Sequence, residues 1–448
     1  MTTDTGRPKL AAVFLSGAIS RLLPASIPMR YFGAATVFHV AAWIALGVGA
    51  ARVPRFAGGL DWPLAALHLI TLGVLAMTAI GASLQLMPVA TRQPVYSTRL
   101  PAWSWWLYTA GVLLTTYAMA AGAPVLLGIG AAGVVAGLLV YGALTARNLA
   151  GARGMAGIVA HGWIAIVSLA LVLISALALV LTWSGHPFLP RDVALAVHVP
   201  MAAWGFMGML ALGLAYVLVP MFAIAAAPDE TRIRQSAAAG GLALALATGA
   251  AFGIWRTPLL LAALLAAAVS VAIHLRLMAH TLRTGMRREL GRSFRLVRIS
   301  WSLLVASLVL ALAHVLAPDN ALVRVLFGIV LIPGWLLTMV LGILQRIVPF
   351  LASMHKAPGS KRPRTPASLT ADAPLAVHYH CHLAAFALLV LAALAGSRWL
   401  VLAASAVGTI GALAFLVFFL IAMHRMRTPP AAAAGTRPNA GRAAGGSA

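Results

Sequence analysis

HLITLGVLAMTAIGASLQLMPV, residues 68–89, contains no Asp, Glu, Lys or Arg. At 1.5 Å per residue, a helix of this length reaches about 33 Å, enough to cross a hydrocarbon core about 30 Å thick. Its internal glycines and proline are tolerated in membrane helices, where neighbouring segments satisfy the freed backbone groups. The stretch therefore reads as a membrane crossing, and the rest of the chain has the same character. Of 448 residues, 62% are apolar by type and 9% are charged, against about 25% charged in a soluble domain. A cytosolic enzyme is excluded. The formal charge of +24 belongs with arginines at the ends of membrane helices, not with nucleic-acid binding. The single cysteine, Cys381, excludes an internal disulfide framework and any multi-cysteine metal site.

Working outward from residues 68–89, apolar spans fall at 31–51, 62–89, 102–121, 123–145, 157–184, 193–226, 236–254, 257–280, 299–317, 322–350, 375–396 and 399–424. Twelve crossings put both termini on one side. That count leaves 26 of the 32 Lys and Arg on the terminal side and 6 on the other, so the positive-inside rule makes both termini cytoplasmic. The expected fold is an all-α polytopic membrane protein with one membrane domain, 31–424. Residues 1–30 lack a signal-peptide cleavage pattern and form a cytoplasmic N-terminal segment. The stretch from His355 to Pro374 reads as a flexible basic connector, and 425–448 as a disordered cytoplasmic tail.

The same punctuation recurs three times. A glycine precedes a proline by seven residues at Gly81/Pro88, Gly213/Pro220 and Gly342/Pro349, with Gln85, Tyr216 and Gln345 between. These fall on the second, sixth and tenth spans, so the expected unit is four helices used three times. The preceding odd spans echo it with His39/Trp43, His161/Trp163 and Ser300/Trp301.

Twelve helices in three arcs of four, with His68-Leu-Ile-Thr-Leu-Gly73 leading to Gln85-Leu-Met-Pro88, His198 leading to Val219-Pro220-Met221, and Gly342 leading to Ile347-Val348-Pro349-Phe350, resembles subunit I of the haem–copper oxidases. The layout is most similar to that family's diverged, NnrS-type and oxidase-subunit-I-like membrane proteins. The resemblance spans residues 31–424 in helix layout, carried by short motifs. It implies b-type haem packed between helices and held by axial histidines, with copper as a second metal. On that basis His68 takes the place of a low-spin haem ligand and His198 that of a copper ligand. Arg398, in Ser397-Arg398-Trp399, takes the place of the propionate-binding loop. The chain departs from the oxidases in three places. Residues 322–350 and 236–254 contain no histidine, and His198 is followed at +4 by Ala202 instead of tyrosine. The resemblance therefore implies a haem protein without a complete oxygen-reducing centre.

Read by depth alone, His68, His198 and His314 lie toward one end of the helices and suit cofactor ligation, since neutral imidazole binds haem iron and copper. The run His378-Tyr379-His380-Cys381-His382 places His378 and His382 on one helical face at i,i+4, the spacing of a metal pair. The alternative for His68 and His198 is a histidine bonded to a backbone carbonyl, for His314 an interfacial anchor next to Pro318, and for the His378–His382 run a polar start to the eleventh span at headgroup level. All eight acidic residues fall in loops or at helix ends, which disfavours proton pumping and proton antiport. The expectation is an inner-membrane haem b protein, with copper as a candidate metal, acting in nitric-oxide or respiratory stress. Its partners would be membrane lipids and a respiratory electron donor or partner subunit, and not nucleic acid. The competing readings are a small-solute or metal permease lined by Gln85, Tyr216 and Gln345, and an assembly partner of a respiratory complex.

Overall fold

The computed structural model describes residues 21–253, 255–354 and 364–428. Most of the N-terminal segment, His355 with the first half of the basic connector, and the tail beyond Thr428 lie outside the described residues. The described chain is all helix, with no strand. Its long helices are α1 (Ser26–Val48), α2 (Trp62–Ala90), α3 (Arg99–Ala121), α4 (Pro124–Ala150), α5 (Ala156–Trp183), α6 (Arg191–Ala223), α7 (Glu230–Ala251), α8 (Arg256–Thr284), α9 (Gly291–Leu316), α10 (Ala321–Ser353), α11 (Asp372–Ala395) and α12 (Arg398–Arg427). Ten of them are long and apolar enough to cross a membrane; α3 and α7 have the length without the same hydropathy. The architecture is that of a multi-pass membrane protein.

Helices outrun the apolar spans where polar residues continue the turn pattern. Helix α7 begins at Glu230, six residues ahead of the apolar stretch, because Asp229 caps it by accepting from the Arg232 N–H at 2.9 Å. Helix α9 begins at Gly291 and carries Arg292, Arg295 and Arg298 in its first turns. Asp61 caps α2, accepting from the Trp62 N–H at 2.7 Å, and Asn320, not the adjacent Asp319, caps α10.

Helices α2, α6 and α10 are the most buried of the set. Each packs against the helix before it, α1, α5 and α9, and is followed by a tight hairpin: α3–α4, α7–α8 and α11–α12. Helix α12 returns to pack on α1. Each inner helix also contains an eight-residue π-helical segment: Leu69–Ala76, Met201–Gly208 and Val330–Leu337. Each segment starts twelve residues before Gly81, Gly213 and Gly342, and each holds a further glycine, Gly73, Gly205 or Gly334, at its fifth position.

The glycines mark close crossings. A Cβ at Gly81 would lie 2.9 Å from Tyr31 Cβ, at Gly213 2.8 Å from His161 Cβ, and at Gly342 3.0 Å from the Ser293 carbonyl. A Cβ at Gly73 would meet Phe38 at 2.7 Å, and at Gly205 Ser168 Oγ at 2.5 Å. Small residues that let backbones approach are how helices associate where lipid and side chains are equally apolar. These contacts also correct one sequence pairing. Tyr31, not His39, occupies on α1 the place that His161 occupies on α5.

Candidate functional site

His68 ends the α-helical first turns of α2, directly before its π segment, and His198 lies three residues before that of α6. Both line one cavity of about 1040 Å³ among α1–α6 and α10. Cofactor and ligand pockets typically occupy about 300–1,000 Å³, so this one is large enough for a prosthetic group. Its walls are mostly aliphatic, with Trp43, Trp183, Phe206 and Phe327 among them, and no acidic residue lines it.

The hydrogen bonds fix the imidazole faces. His68 Nδ1 lies 3.0 Å from the Leu64 carbonyl, which can only accept, so Nδ1 carries the proton and Nε2 keeps its lone pair. His198 Nδ1 lies 3.4 Å from Ser175 Oγ. That hydroxyl already donates to the Leu171 carbonyl at 2.8 Å, so it accepts from His198 and again leaves Nε2 as the lone-pair nitrogen. A ring whose second nitrogen donates to a carbonyl or hydroxyl is oriented as metal-ligating histidines are. The two rings are within Coulombic range of one another. Arg191, first residue of α6, and Arg324, in the first turn of α10, also line the cavity.

The other sequence-predicted residues lie elsewhere. His314 lines a second cavity, of about 560 Å³, between α6 and α10. Arg398 lines neither cavity; its guanidinium sits 4.6 Å over the Trp399 ring. His378 and His382 are buried side by side, ring centroids 5.6 Å apart, and His39 of α1 joins them 6.1 Å from His378. Here too the protons can be placed. His378 Nδ1 donates to the Gly411 carbonyl at 3.1 Å, and His382 Nε2 donates to Thr338 Oγ1 at 2.7 Å, whose own proton goes to the Pro333 carbonyl. His378 Nε2 and His382 Nδ1 are left buried without a partner. His39 Nε2 accepts from the Trp43 indole, which leaves Nδ1–H of His39 as an unpaired donor. Cys381 turns toward Gly411 on α12, and His380 is exposed. Among the described residues, no three His, Cys, Asp or Glu side chains form a ready metal-holding group.

Sequence reasoning missed a second buried cluster. His161, Tyr216 and His274 stack edge-on with centroids 5.4 and 5.0 Å apart, and Trp301 closes the row at 6.2 Å from His274. Neither ring nitrogen of His274 has a partner. Arg191 and Arg324 were also missed: each looks like an ordinary helix-end arginine until the tertiary fold brings both to one cavity. Of the inner helices' polar residues, Gln85 Oε1 accepts from the Leu23 N–H at 3.2 Å, so it is tied to the chain entering α1. Set against known protein families and curated proteins, the chain matches no family model and no curated sequence.

Proposed function

We propose that the protein is a b-type haem protein of the membrane, built from twelve crossings in three four-helix units with both termini cytoplasmic, and that His68 and His198 hold the cofactor. The observation that carries this reading is the pair of unpaired Nε2 atoms on one large cavity that has two arginines and no acid in its lining. The residues fit the group in three respects. Neutral imidazoles with their second nitrogen tied down suit haem iron. The aromatic and aliphatic walls suit the macrocycle. The guanidiniums of Arg191 and Arg324 suit its propionates, since charge-assisted contacts to carboxylates are the strong ones. The identical order of π segment, glycine and proline in α2, α6 and α10 supports the three-unit architecture, and with it the likeness in layout to haem–copper oxidase subunit I. When bound, haem supplies a one-electron couple and a site for a diatomic gas.

The chain's own part is to bind and shield. The Leu64 carbonyl and Ser175 hold the two imidazoles in the neutral, ligating tautomer, and the apolar walls exclude water. No carboxylate inside the spans is available to load a proton, so the reading is electron transfer or gas handling in nitric-oxide or respiratory stress, in the bacterial inner membrane with a respiratory donor, not proton pumping. Copper, if carried, belongs with the lone pairs of His378 and His382.

The test is a reduced-minus-oxidised optical spectrum of the purified protein from haem-replete cells, with iron and copper quantified on the same sample. One or two haems per chain, lost in His68→Ala and in His198→Ala but kept in His314→Ala, is the expected result. A colourless, iron-free wild-type protein overturns the reading and leaves transport as the hypothesis to pursue.

A further inference from the structure

The second cavity, about 560 Å³, is lined by α6, α7, α8, α9 and α10. Its polar residues gather at one end: Asp192 in the first turn of α6, Arg256 starting α8, His314 ending α9 and Arg324 starting α10. Both guanidiniums are within Coulombic range of His314. Neither is in an ion pair; among the described residues the one salt bridge is Arg52–Asp61. Two uncompensated arginines against one carboxylate leave the rim positive.

Below the rim the lining is almost wholly apolar, running down α8 past Leu260, Ala263, Leu264 and Ala267 to Ser270 and Val271. From Arg256 to Val271 the helix descends about 22 Å at 1.5 Å per residue. Spread over about that depth, the cavity of about 560 Å³ has the mean girth of a single hydrocarbon chain. It has about half the volume of the chamber that His68 and His198 share. At the rim a ring stack forms one wall: Trp204 on Phe327 with centroids 5.6 Å apart, and Phe327 on His314 at 6.2 Å. Trp204 Nε1 and His314 Nδ1 have no hydrogen-bond partner. On the outside, α8 and α9 expose Leu265, Val269, Val305 and Val309, so the same helices face the bilayer.

We propose that this slot is a binding site for an anionic phospholipid, with one acyl chain inside and the phosphate at Arg256 and Arg324. A positive rim over an apolar shaft of chain-like girth matches an anion joined to a hydrocarbon tail. Arginine is the side chain whose geometry suits phosphate oxygens. The proposal does not depend on haem: the lipid slot and the histidine chamber share Arg324 and Phe327 but enclose different space.

The test is native mass spectrometry of the full-length protein titrated with phosphatidylglycerol or with phosphatidylcholine of the same acyl chains. Wild-type protein should retain one phosphatidylglycerol at least tenfold more tightly than phosphatidylcholine. Arg256→Ala with Arg324→Ala should abolish the headgroup preference. Ala267→Phe on α8 and Ala247→Phe on α7, which fill the slot without touching charge, should remove the tight site while leaving the haem spectrum unchanged. Equal retention of the two lipids by wild type overturns the proposal and needs no variant to fold. Tight phosphatidylglycerol binding that survives both filling variants, shown folded by gel filtration, also overturns it, as does a fatty acid taking the site in preference to the phospholipid.

Discussion

Replacing Gly130 by alanine tests a helix crossing in which backbone meets backbone. A Cβ there would lie 2.5 Å from the Thr115 backbone nitrogen, 2.7 Å from Thr115 Oγ1 and 2.9 Å from the Leu114 carbonyl carbon. The facing helix is built the same way, since a Cβ at Gly111 would lie 2.5 Å from the Val134 nitrogen and 2.7 Å from the Gly133 carbonyl carbon. Backbone atoms cannot rotate aside as a side chain can. Ordinary carbon contacts sit at about 3.5–4.0 Å, so α3 and α4 must part by about 1 Å along the whole hairpin. Overpacking of this kind costs about 1–3 kcal/mol, and rigid backbone places Gly130 at the upper end. Alanine returns about 1 kcal/mol of helix propensity, leaving a net loss of about 2 kcal/mol. Gly128, on the same helix, has nothing within 4 Å of its would-be Cβ. Alanine there collects the propensity alone and should stabilise by up to about 1 kcal/mol. Thermal melting of the two variants in one detergent reads the difference, with Gly130→Ala below wild type by several degrees and Gly128→Ala at or above it. A Gly130→Ala protein that melts no lower than wild type, or two variants that shift alike, would refute the close crossing.

Thr338→Val should lower the melting midpoint by the equivalent of about 1–3 kcal/mol, because it strands the buried His382 Nε2–H, while Thr338→Ser should retain most of the stability; equal effects of the two would remove the hydroxyl from the account. Burial tends to raise the Asp61 carboxyl, but hydrogen bonds from Arg52 and the Trp62 N–H, with the Arg52 charge, outweigh it and hold it below the usual value of 3.8. A depressed carboxyl contributes stability above its unfolded value, about 3.9, and loses it as pH falls through the folded one. Protection against hydrogen exchange in residues 49–60, corrected for the intrinsic rate at each pH, should therefore fall as pH drops below about 4, and Asp61→Asn should show the low protection at neutral pH; the effect is small because the Arg52 side chain is largely exposed. A variant whose exchange follows wild type throughout would show that the cap does not order this loop.

The membrane class was legible because it rests on composition, and the inner helices because glycine and proline at fixed spacing are visible without any tertiary information. The π segments were not. A shift of one residue in turn geometry leaves no periodic trace in Leu69–Ala76 or Val330–Leu337, where every residue but one is apolar or glycine or proline. The earlier glycines at 73, 205 and 334 repeat as faithfully as the later ones, and could have been read from the sequence. Histidine grouping was not legible. His68 and His198 meet at one cavity, while His314, at the same end of the bundle, faces another. The His161–Tyr216–His274–Trp301 row draws one residue from each of four helices, so no local pattern could assemble it.

The π segments change the direction in which the two halves of each inner helix face. An α-helix turns about 100° per residue, so each extra residue accommodated in a π segment rotates the two halves of the helix by about that angle. Before the segment, His68 and His198 line the larger cavity. After it, Gln85 and Gln345 are buried. On α10, Ile329 and Phe327 occupy the positions that His68 and His198 hold on α2 and α6, counting from the start of each π segment. The third inner helix therefore brings no histidine to the chamber. It supplies instead the Phe327 wall and the Arg324 guanidinium shared by both cavities. Of the three inner helices that share a π segment, two thus carry a histidine to the chamber and the third lines both cavities.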